Sequence, residues 1–472
     1  MKKTNQVIAV LMALVMCLCL ASCSGEGEKE NTTTTTTVST TVTTTTPAAG
    51  KPDDPDTGDK GDGGDNGDTD EEEDNRISQP TVAVPESGNI TTAEELHAVL
   101  VNGDATKDYT VTATELDMAA YSWTGLFGYS GTFDFGGCTI KNAADSLFIS
   151  VNGGTVKNLT IANSKYVYDN EDAMADVSAV DGTTAENKIF SPVIRYATDV
   201  KVSNVTIDST VSIEAAIYLT DTHHGGIIGE TVGSYVVVEN CTFKGTFVND
   251  SMLVNFGGIV GKMYSNDTTV VNVDEPEKST NRIVGCFNYG KIEHLGVASD
   301  SKVAGIVGYA ENVAVIGCAN YGEVISADDG QTAGVAGYAG GAVYIKNCLN
   351  TGAVEGADAV GGICGYSNGE IRYFTNCINI GKISGTERVG GMVGMMKNKE
   401  TLTNCFNLSS AHAVFSLDEN RSGIVPSDKS THKNLVITNC DNVDSVATIL
   451  SLINATAPGV FVANGDSIAL AG

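Results

Sequence analysis

Basic residues are scarce in this chain. It has 28 Lys and Arg against 58 Asp and Glu, a formal charge of −30 over 472 residues. So acidic a surface repels phosphate backbones, which excludes nucleic acid as a partner. Tryptophan is nearly absent: Trp123 is the single one, which argues against a broad aromatic sugar platform. Histidines are few and unpatterned. His223-His224 is the one adjacent pair, and neighbours on a strand face opposite sides, so one metal would not hold both. The pair reads as a turn before Gly225-Gly226, and His294, His412 and His432 stand alone, without a nucleophile at a recognisable spacing. Cys-x-x-Cys and His-Glu-x-x-His do not occur. Asp53, Asp56, Asp59, Asp62, Asp65 and Asp68 recur every third residue, whereas an EF-hand loop needs acids every second. No metal, cofactor or catalytic set is expected.

Long apolar runs are also missing, apart from the start. Lys2 and Lys3 precede Val7 to Leu20, a run too short for a comfortable membrane span but right for an export signal. It ends in Leu20-Ala21-Ser22-Cys23, which resembles the bacterial lipobox, where the cysteine becomes the lipid-modified first residue. The alternative is an ordinary cleaved signal with a chance cysteine. Residues 23–85 then read as the lipidated Cys23 and a tether: Thr32 to Thr37 is unbroken threonine, and residues 51–75 hold twelve acids against two lysines. Too little apolar surface is present there to offset chain entropy. The expected order is signal 1–22, tether 23–85, cap and first strands 86–135, repeats 136–442 and a C-terminal cap 443–472. The expected place is the bacterial cell surface, held by lipid to the outer face of the cytoplasmic membrane.

What the chain has in abundance is glycine, 53 residues, and a repeat. Gly361-Gly362-Ile363-Cys364-Gly365 precedes Cys377-Ile378-Asn379, and Gly390-Gly391-Met392-Val393-Gly394 precedes Cys405-Phe406-Asn407, with looser copies at Ala304 and Ala333. Successive repeats lie 30, 29 and 28 residues apart. A period in that range marks a solenoid, whose units bury their apolar faces only by stacking. The runs are rich in Val, Ile, Thr and Tyr and punctuated by glycine, which selects strands over helices. One column reads Cys138, Leu159, Val205, Cys241, Cys286, Cys318, Cys348, Cys377, Cys405, Cys440. Leu and Val alternate with Cys there, as they do in a packed interior, so these thiols are expected to be free and buried. Asn288, Asn320, Asn350, Asn379 and Asn407 form a second column, suited to left-handed turn positions and to bonding between stacked neighbours. An all-β solenoid of about ten coils with short helical caps follows.

The rod ends need covers. Thr91 and Glu94 are spaced as a capping box before Leu96, Val99 and Leu100, and Val446, Ile449, Leu450 and Ile453 mark a second helix within 444–454. Val460 to Val462 and Ile468 to Leu470 are candidate closing strands. Segments 169–188 and 265–282 read as loops, and Asp358, Glu370, Glu387 and Arg388 as turn residues without recurrent pairing.

These repeats resemble the GLUG-type repeats of large bacterial surface proteins, in which Gly-Gly-Ile-Val-Gly-Tyr precedes Asn-Cys-x-Asn-x-Gly. The matching stretches are Ala304 to Gly322, Ala333 to Gly352, Val360 to Gly381 and Val389 to Asn407. The resemblance spans roughly 90–472 and implies a right-handed parallel β-helix on a surface or secreted protein. Some immunoglobulin-cleaving metalloproteases carry such repeats, with their activity in a separate zinc domain whose motif this chain lacks. The expected function is non-enzymatic adhesion or presentation to a glycan or a host or bacterial surface protein. The alternatives are a carbohydrate-active enzyme, a lyase or glycosidase, and a passive spacer. The oligomeric state is left open.

Overall fold

One turn of the solenoid shows how all of them are made. Lys302–Ala304 forms a short strand, and the chain turns through Gly305-Ile306 into the long strand Val307–Ile316. Gly317-Cys318 leads to the two-residue strand Ala319–Asn320, then Val324–Ser326, and the next turn begins at Gln331–Ala333. Each strand pairs in parallel with its counterpart one turn on, as in Val307↔Ala336, Ala319↔Leu349 and Val324↔Val354. Repetition builds a 24-stranded sheet and two seven-stranded sheets, a parallel β-helix. The computed structural model describes residues 75–169, 188–217, 221–297, 300–408 and 436–471. The chain divides into Met1–Glu72 and Glu73–Gly472. The first unit, with the signal, Cys23 and the threonine run, lies outside the described residues, as do His412 and His432.

Period-two alternation assigns each residue to core or surface. Val307, Ala336, Cys364 and Val393 stack inward, and so do Ile213, Phe247, Ile292, Val324, Val354 and Ile383. Each such aliphatic side chain contributes on the order of 1.5–3 kcal/mol by leaving water. The thiol column is part of this interior. Cys138, Cys241, Cys286, Cys318, Cys348, Cys377 and Cys405 are fully buried and free, and Cys440 is half-buried on the last rung. Cys138 Sγ donates to Thr139 O at 3.6 Å; the later thiols donate to backbone carbonyls two residues back or one rung down, for example Cys348 Sγ to Lys346 O at 3.3 Å and to Val315 O at 3.6 Å.

Left-handed backbone is not where the asparagine column suggested. Asn288, Asn320, Asn350 and Asn379 end two-residue strands, and Asn407 is the middle residue of Phe406–Leu408. The positive φ falls on the residue before the thiol column: Asn204 (55°), Asn240 (55°), Gly317 (58°), Asn347 (55°), Asn376 (53°) and Asn404 (53°). The chain must change direction there, and asparagine or glycine reaches the left-handed region at least cost. These residues form a surface ladder of their own, Asn404 Nδ2 donating to Asn376 Oδ1 and Asn376 Nδ2 to Asn347 Oδ1, both at 3.0 Å. The buried column makes a second ladder. Asn288, Asn320, Asn350 and Asn379 each donate to the next Oδ1 at 2.7–2.8 Å and to the glycine carbonyl two residues on. A Cβ on Gly334 or Gly362 would lie 2.3 and 2.4 Å from the Asn350 and Asn379 amides, so the ladder explains why the motif needs glycine there.

At the N-terminal end helix α1 (Ala93–Asn102) packs Leu96, Val99 and Leu100 into the core. Its capping box is Thr92 with Glu95, one residue beyond the expected pair. Thr92 Oγ1 accepts from Glu95 N at 3.2 Å, and the Glu95 carboxylate accepts from Thr92 N at 3.3 Å. The C-terminal segment departs from expectation more strongly. Helix α2 (Val446–Asn454) and the antiparallel hairpin Phe461–Asn464/Ser467–Leu470 do not close the end of the coil stack but lie on its side. They cover the outward row Ala319, Leu349, Ile378 and Phe406 with Ile449, Ile453, Phe461 and Ile468. The chemistry of that row explains the placement. In earlier turns the same position is Thr139, Thr160, Thr206 and Thr242; from Phe287 to Phe406 it is apolar, and Asp441 follows on the last rung. Segment 265–282 carries two short 3-10 turns, rests Val270 and Val271 on Ala342, and ties Glu277 to Lys346 at 2.7 Å.

Candidate functional site

Two sheets fold toward each other on the outside of the solenoid. At the turn between them a Cβ on Gly225, Gly257 or Gly361 would lie 1.8–2.0 Å from the carbonyl oxygen of Ile228, Val260 or Cys364. Only glycine allows so close an approach, which brings two outward rows alongside each other, and the strip between them is the candidate cleft. One wall is the row His223, Asn255, Lys302, Gln331. The other is Glu230, Lys262, Tyr309, Tyr338, Tyr366, Met395. The walls touch at both ends, where His223 Nε2 lies 3.2 Å from Lys262 Nζ and Arg388 reaches Met395 Sδ at 3.0 Å.

The middle of the second wall is aromatic. Tyr309 and Tyr338 stack at 4.8 Å with planes 17° apart, and Tyr366 meets Tyr338 edge-on at 5.5 Å. Two of the hydroxyls are engaged within the wall, Tyr309 donating to Glu311 and Tyr338 accepting from Asn368 Nδ2 at 3.4 Å. Burial pushes the phenols of Tyr309, Tyr338 and Tyr366 up, so they act as neutral donors and acceptors.

One end of the cleft is charged. Glu230 Oε1 lies 3.2 Å from Lys262 Nζ, and His223 Nε2 lies 3.7 Å from Glu230 and 3.9 Å from Asp221. Burial pushes the Glu230 carboxyl up, with Lys262 opposing. Burial and the Lys262 charge together push His223 down to about 3, so its imidazole is neutral near pH 7. A neutral ring has a single acceptor nitrogen, and Lys262 Nζ beside Nε2 at 3.2 Å and Asn255 Nδ2 beside Nδ1 at 2.9 Å are both donors, so the ring accepts from one of the two. A buried acid, a part-exposed ammonium and a neutral imidazole at one end of the aromatic row can orient and hydrogen-bond a polyhydroxylated chain.

His223 and His224 occupy the strand Thr222–Gly225 and not a turn. His224 points inward, stacked in register between Phe190 and Phe256, with neither ring nitrogen hydrogen-bonded. His294 is also interior, 3.5 Å from buried Asp328. Arg388 and Asp358, read as turn residues without recurrent pairing, form a single ion pair through Arg388 Nε to Asp358 Oδ1 at 2.5 Å. The cysteine and asparagine columns lie inside and line no part of the cleft. Trp123 is structural, its Nε1 donating to Ser146 O at 2.8 Å. The aromatic wall is made of tyrosine, which a count of tryptophan does not see. The signal available was the tyrosine after each repeat glycine, at 309, 338 and 366. Among the described residues no three His, Cys, Asp or Glu side chains converge as metal ligands, and no helix is long and apolar enough to cross a membrane.

No protein-family model matches the chain, and no curated protein matches it. Among solved structures it is similar to a candidate immunoglobulin A1 protease from Bacteroides ovatus, at 18% identity over 81% of this chain and 91% of that one, with a TM-score of 0.37. It is also similar to an IgA1 protease, at 15% identity over 72% of this chain and 23% of that one, with a TM-score of 0.36. This chain thus spans under a quarter of the second protein. Likeness at this level carries no argument about activity.

Proposed function

We propose that this protein is a lipid-anchored bacterial surface solenoid of the GLUG-repeat kind that binds a ligand without transforming it, and that the ligand is an extended glycan lying in the tyrosine-walled cleft. The observation that carries this reading is the register of the cleft. Tyr309, Tyr338 and Tyr366 repeat once per turn opposite Lys302 and Gln331, so a linear polymer meets one similar set of contacts on each rung. The Leu20-Ala21-Ser22-Cys23 sequence supports attachment through Cys23. A glycan array probed with the full chain and with Tyr338→Ala tests the proposal. Binding to at least one linear glycan, weakened about tenfold or more in the variant, is expected. Silence across the array, or equal binding by both proteins, would remove it and favour the spacer reading. Metabolic labelling with a fatty acid, lost in Cys23→Ala, tests the anchor.

A second reading, a carbohydrate-active enzyme, is favoured by one observation, the upward-shifted Glu230 beside neutral His223 and Lys262. An acid whose carboxyl burial raises above its ordinary range suits proton donation to a leaving sugar. New reducing ends or unsaturated products from acidic and neutral polysaccharides, abolished in Glu230→Gln, would establish it in place of pure binding.

A further inference from the structure

A different outward row, away from the cleft, runs Asp208, Lys244, Tyr289, Tyr321. Lys244 N donates to Ile207 O at 2.8 Å, Tyr289 N to Phe243 O at 2.8 Å and Tyr321 N to Asn288 O at 2.7 Å, so the four residues occupy successive rungs. Tyr289 and Tyr321 stack at 4.7 Å with planes 10° apart. Tyr321 is pinned, its hydroxyl accepting from Leu470 N of the C-terminal hairpin at 3.4 Å. Tyr289 is 50% exposed although its neighbour covers one ring face. Its second face is directed along the row toward exposed Lys244. Among the described residues the cation–ring contacts are made by Lys107, Arg195 and Lys262, so no ammonium or guanidinium caps Tyr289.

The two rungs before that ring are polar, with Lys244 and Asp208 in its own row. Thr206 and Thr242 occupy the adjoining outward row, and Phe287 takes their place beside Tyr289. Asp208 is held below the ordinary carboxylate range by the Thr210 backbone amide and hydroxyl, and both bonds fall on Oδ1. A rigid, flat apolar face thus stands beside an ammonium donor, a carboxylate acceptor and a hydroxyl. A neutral pyranose combines the complementary features, an apolar C–H face and a rim of hydroxyls. A protein partner would need a larger continuous apolar patch, but the C-terminal hairpin already covers the rest of the row.

We propose that Tyr289 is a stacking subsite for a neutral pyranose, with Lys244, Asp208 and Thr242 bonding its hydroxyls. The proposal rests on the glycan reading and adds a second contact point outside the cleft. The test measures binding of the full chain to soluble neutral oligosaccharides (β-1,4-glucan, α-1,4-glucan and mannan series) by saturation-transfer NMR and calorimetry. Wild type is compared with Tyr289→Ala, Tyr289→Phe and Tyr338→Ala, with thermal melts confirming that each variant folds. At least one series binds wild type, Tyr289→Ala weakens it about tenfold or more, and Tyr289→Phe, which keeps the ring, stays within about threefold. Loss in Tyr338→Ala with no change in Tyr289→Ala overturns this subsite and leaves the cleft reading standing. Loss in Tyr289→Ala alone supports the subsite and removes the cleft. No binding by any neutral series overturns the subsite, and acidic glycans on the array then decide the cleft separately.

Discussion

Asn350 Nδ2 donates to Asn379 Oδ1 at 2.7 Å and to Gly352 O at 3.0 Å, while Asn350 Oδ1 accepts from Asn320 Nδ2 at 2.8 Å. Both ends of one buried amide are used, and each end belongs to a different turn. Removing it strands a donor on one side and an acceptor on the other. A stranded buried polar group costs about 1–3 kcal/mol, so Asn350→Ala is expected to lose roughly 2–5 kcal/mol once the small cavity is included. Asn350→Asp keeps the acceptor but replaces the donor, and it buries a charge next to Asn379 Oδ1, so it should be at least as damaging. Urea unfolding of both variants checks this. An Asn350→Ala midpoint equal to wild type would mean that the ladder carries no net stability.

Arg372 and Glu400 form a pair inside the coil stack, with Nη2 3.2 Å from Oε1 and both side chains fully buried. They occupy a row that holds Val313 and Val343 in the preceding turns. Breaking one partner of such a pair strands a charge, so Arg372→Met or Glu400→Leu alone should cost about 3–5 kcal/mol. The double variant fills the same row with apolar groups and should recover most or all of that loss. Denaturant midpoints of the four proteins give the coupling energy. If each single change is nearly neutral, the pair contributes nothing that an apolar side chain does not.

Legibility in the sequence follows how local each cause is. Arg372 lies two residues before inward Phe374, so alternation alone assigns it to the interior, but its partner Glu400 stands on the next turn and no local pattern links the two. The thiol column was readable because Leu159 and Val205 take its place, and only packing makes those residues equivalent. The asparagine column was assigned the wrong backbone shape. Asparagine suits both a left-handed turn and a buried ladder, and composition does not separate the two. The cleft was hidden because it brings His223 against Lys262 across a turn, and the contact is made by the close approach of strands flanking Gly225. The lateral position of helix α2 did leave a trace, the change from Thr242 to Phe287 in the middle of the Cys-x-Asn motif.

His224 makes the body sensitive to acid. Burial pushes it down to about 3, and His223 likewise to about 3, from ordinary values near 6.5. A group whose folded pKa is depressed binds its proton more readily when unfolded. The stability each contributes is therefore complete above about pH 6.5 and is lost as pH falls toward 3, at up to about 1.4 kcal/mol per unit per group. Glu230 works in the opposite sense. Its carboxyl is raised, so its contribution is complete below the ordinary carboxylate value and is lost as pH rises above it, which flattens the curve in between. His224→Phe continues the row of Phe190 and Phe256 and should roughly halve the acid slope without loss at pH 7. Thermal melts from pH 3 to 8 read both effects. An unchanged slope in the variant would mean that His224 is hydrated or protonated in the folded protein.

The C-terminal helix and hairpin set a separate expectation, because their core is a cluster of its own on the outside of the sheet. Ile453 is fully buried between helix α2 and the Ala319–Phe406 row, so Ile453→Ala should remove about 2–5 kcal/mol from that attachment. The attachment is small and reaches the coils through few elements, so it should open before the coils do. Hydrogen exchange then shows Val446–Asn454 and Phe461–Leu470 losing protection in Ile453→Ala while Val307–Ile316 and Ala336–Lys346 keep theirs. Opening also uncovers Leu349 and Ile378, so binding of a hydrophobic dye should rise in step with the lost protection. Uniform loss of protection along the whole body would show instead that the side segment and the coils unfold as one cooperative unit, with the apolar row acting as core and not as a covered face.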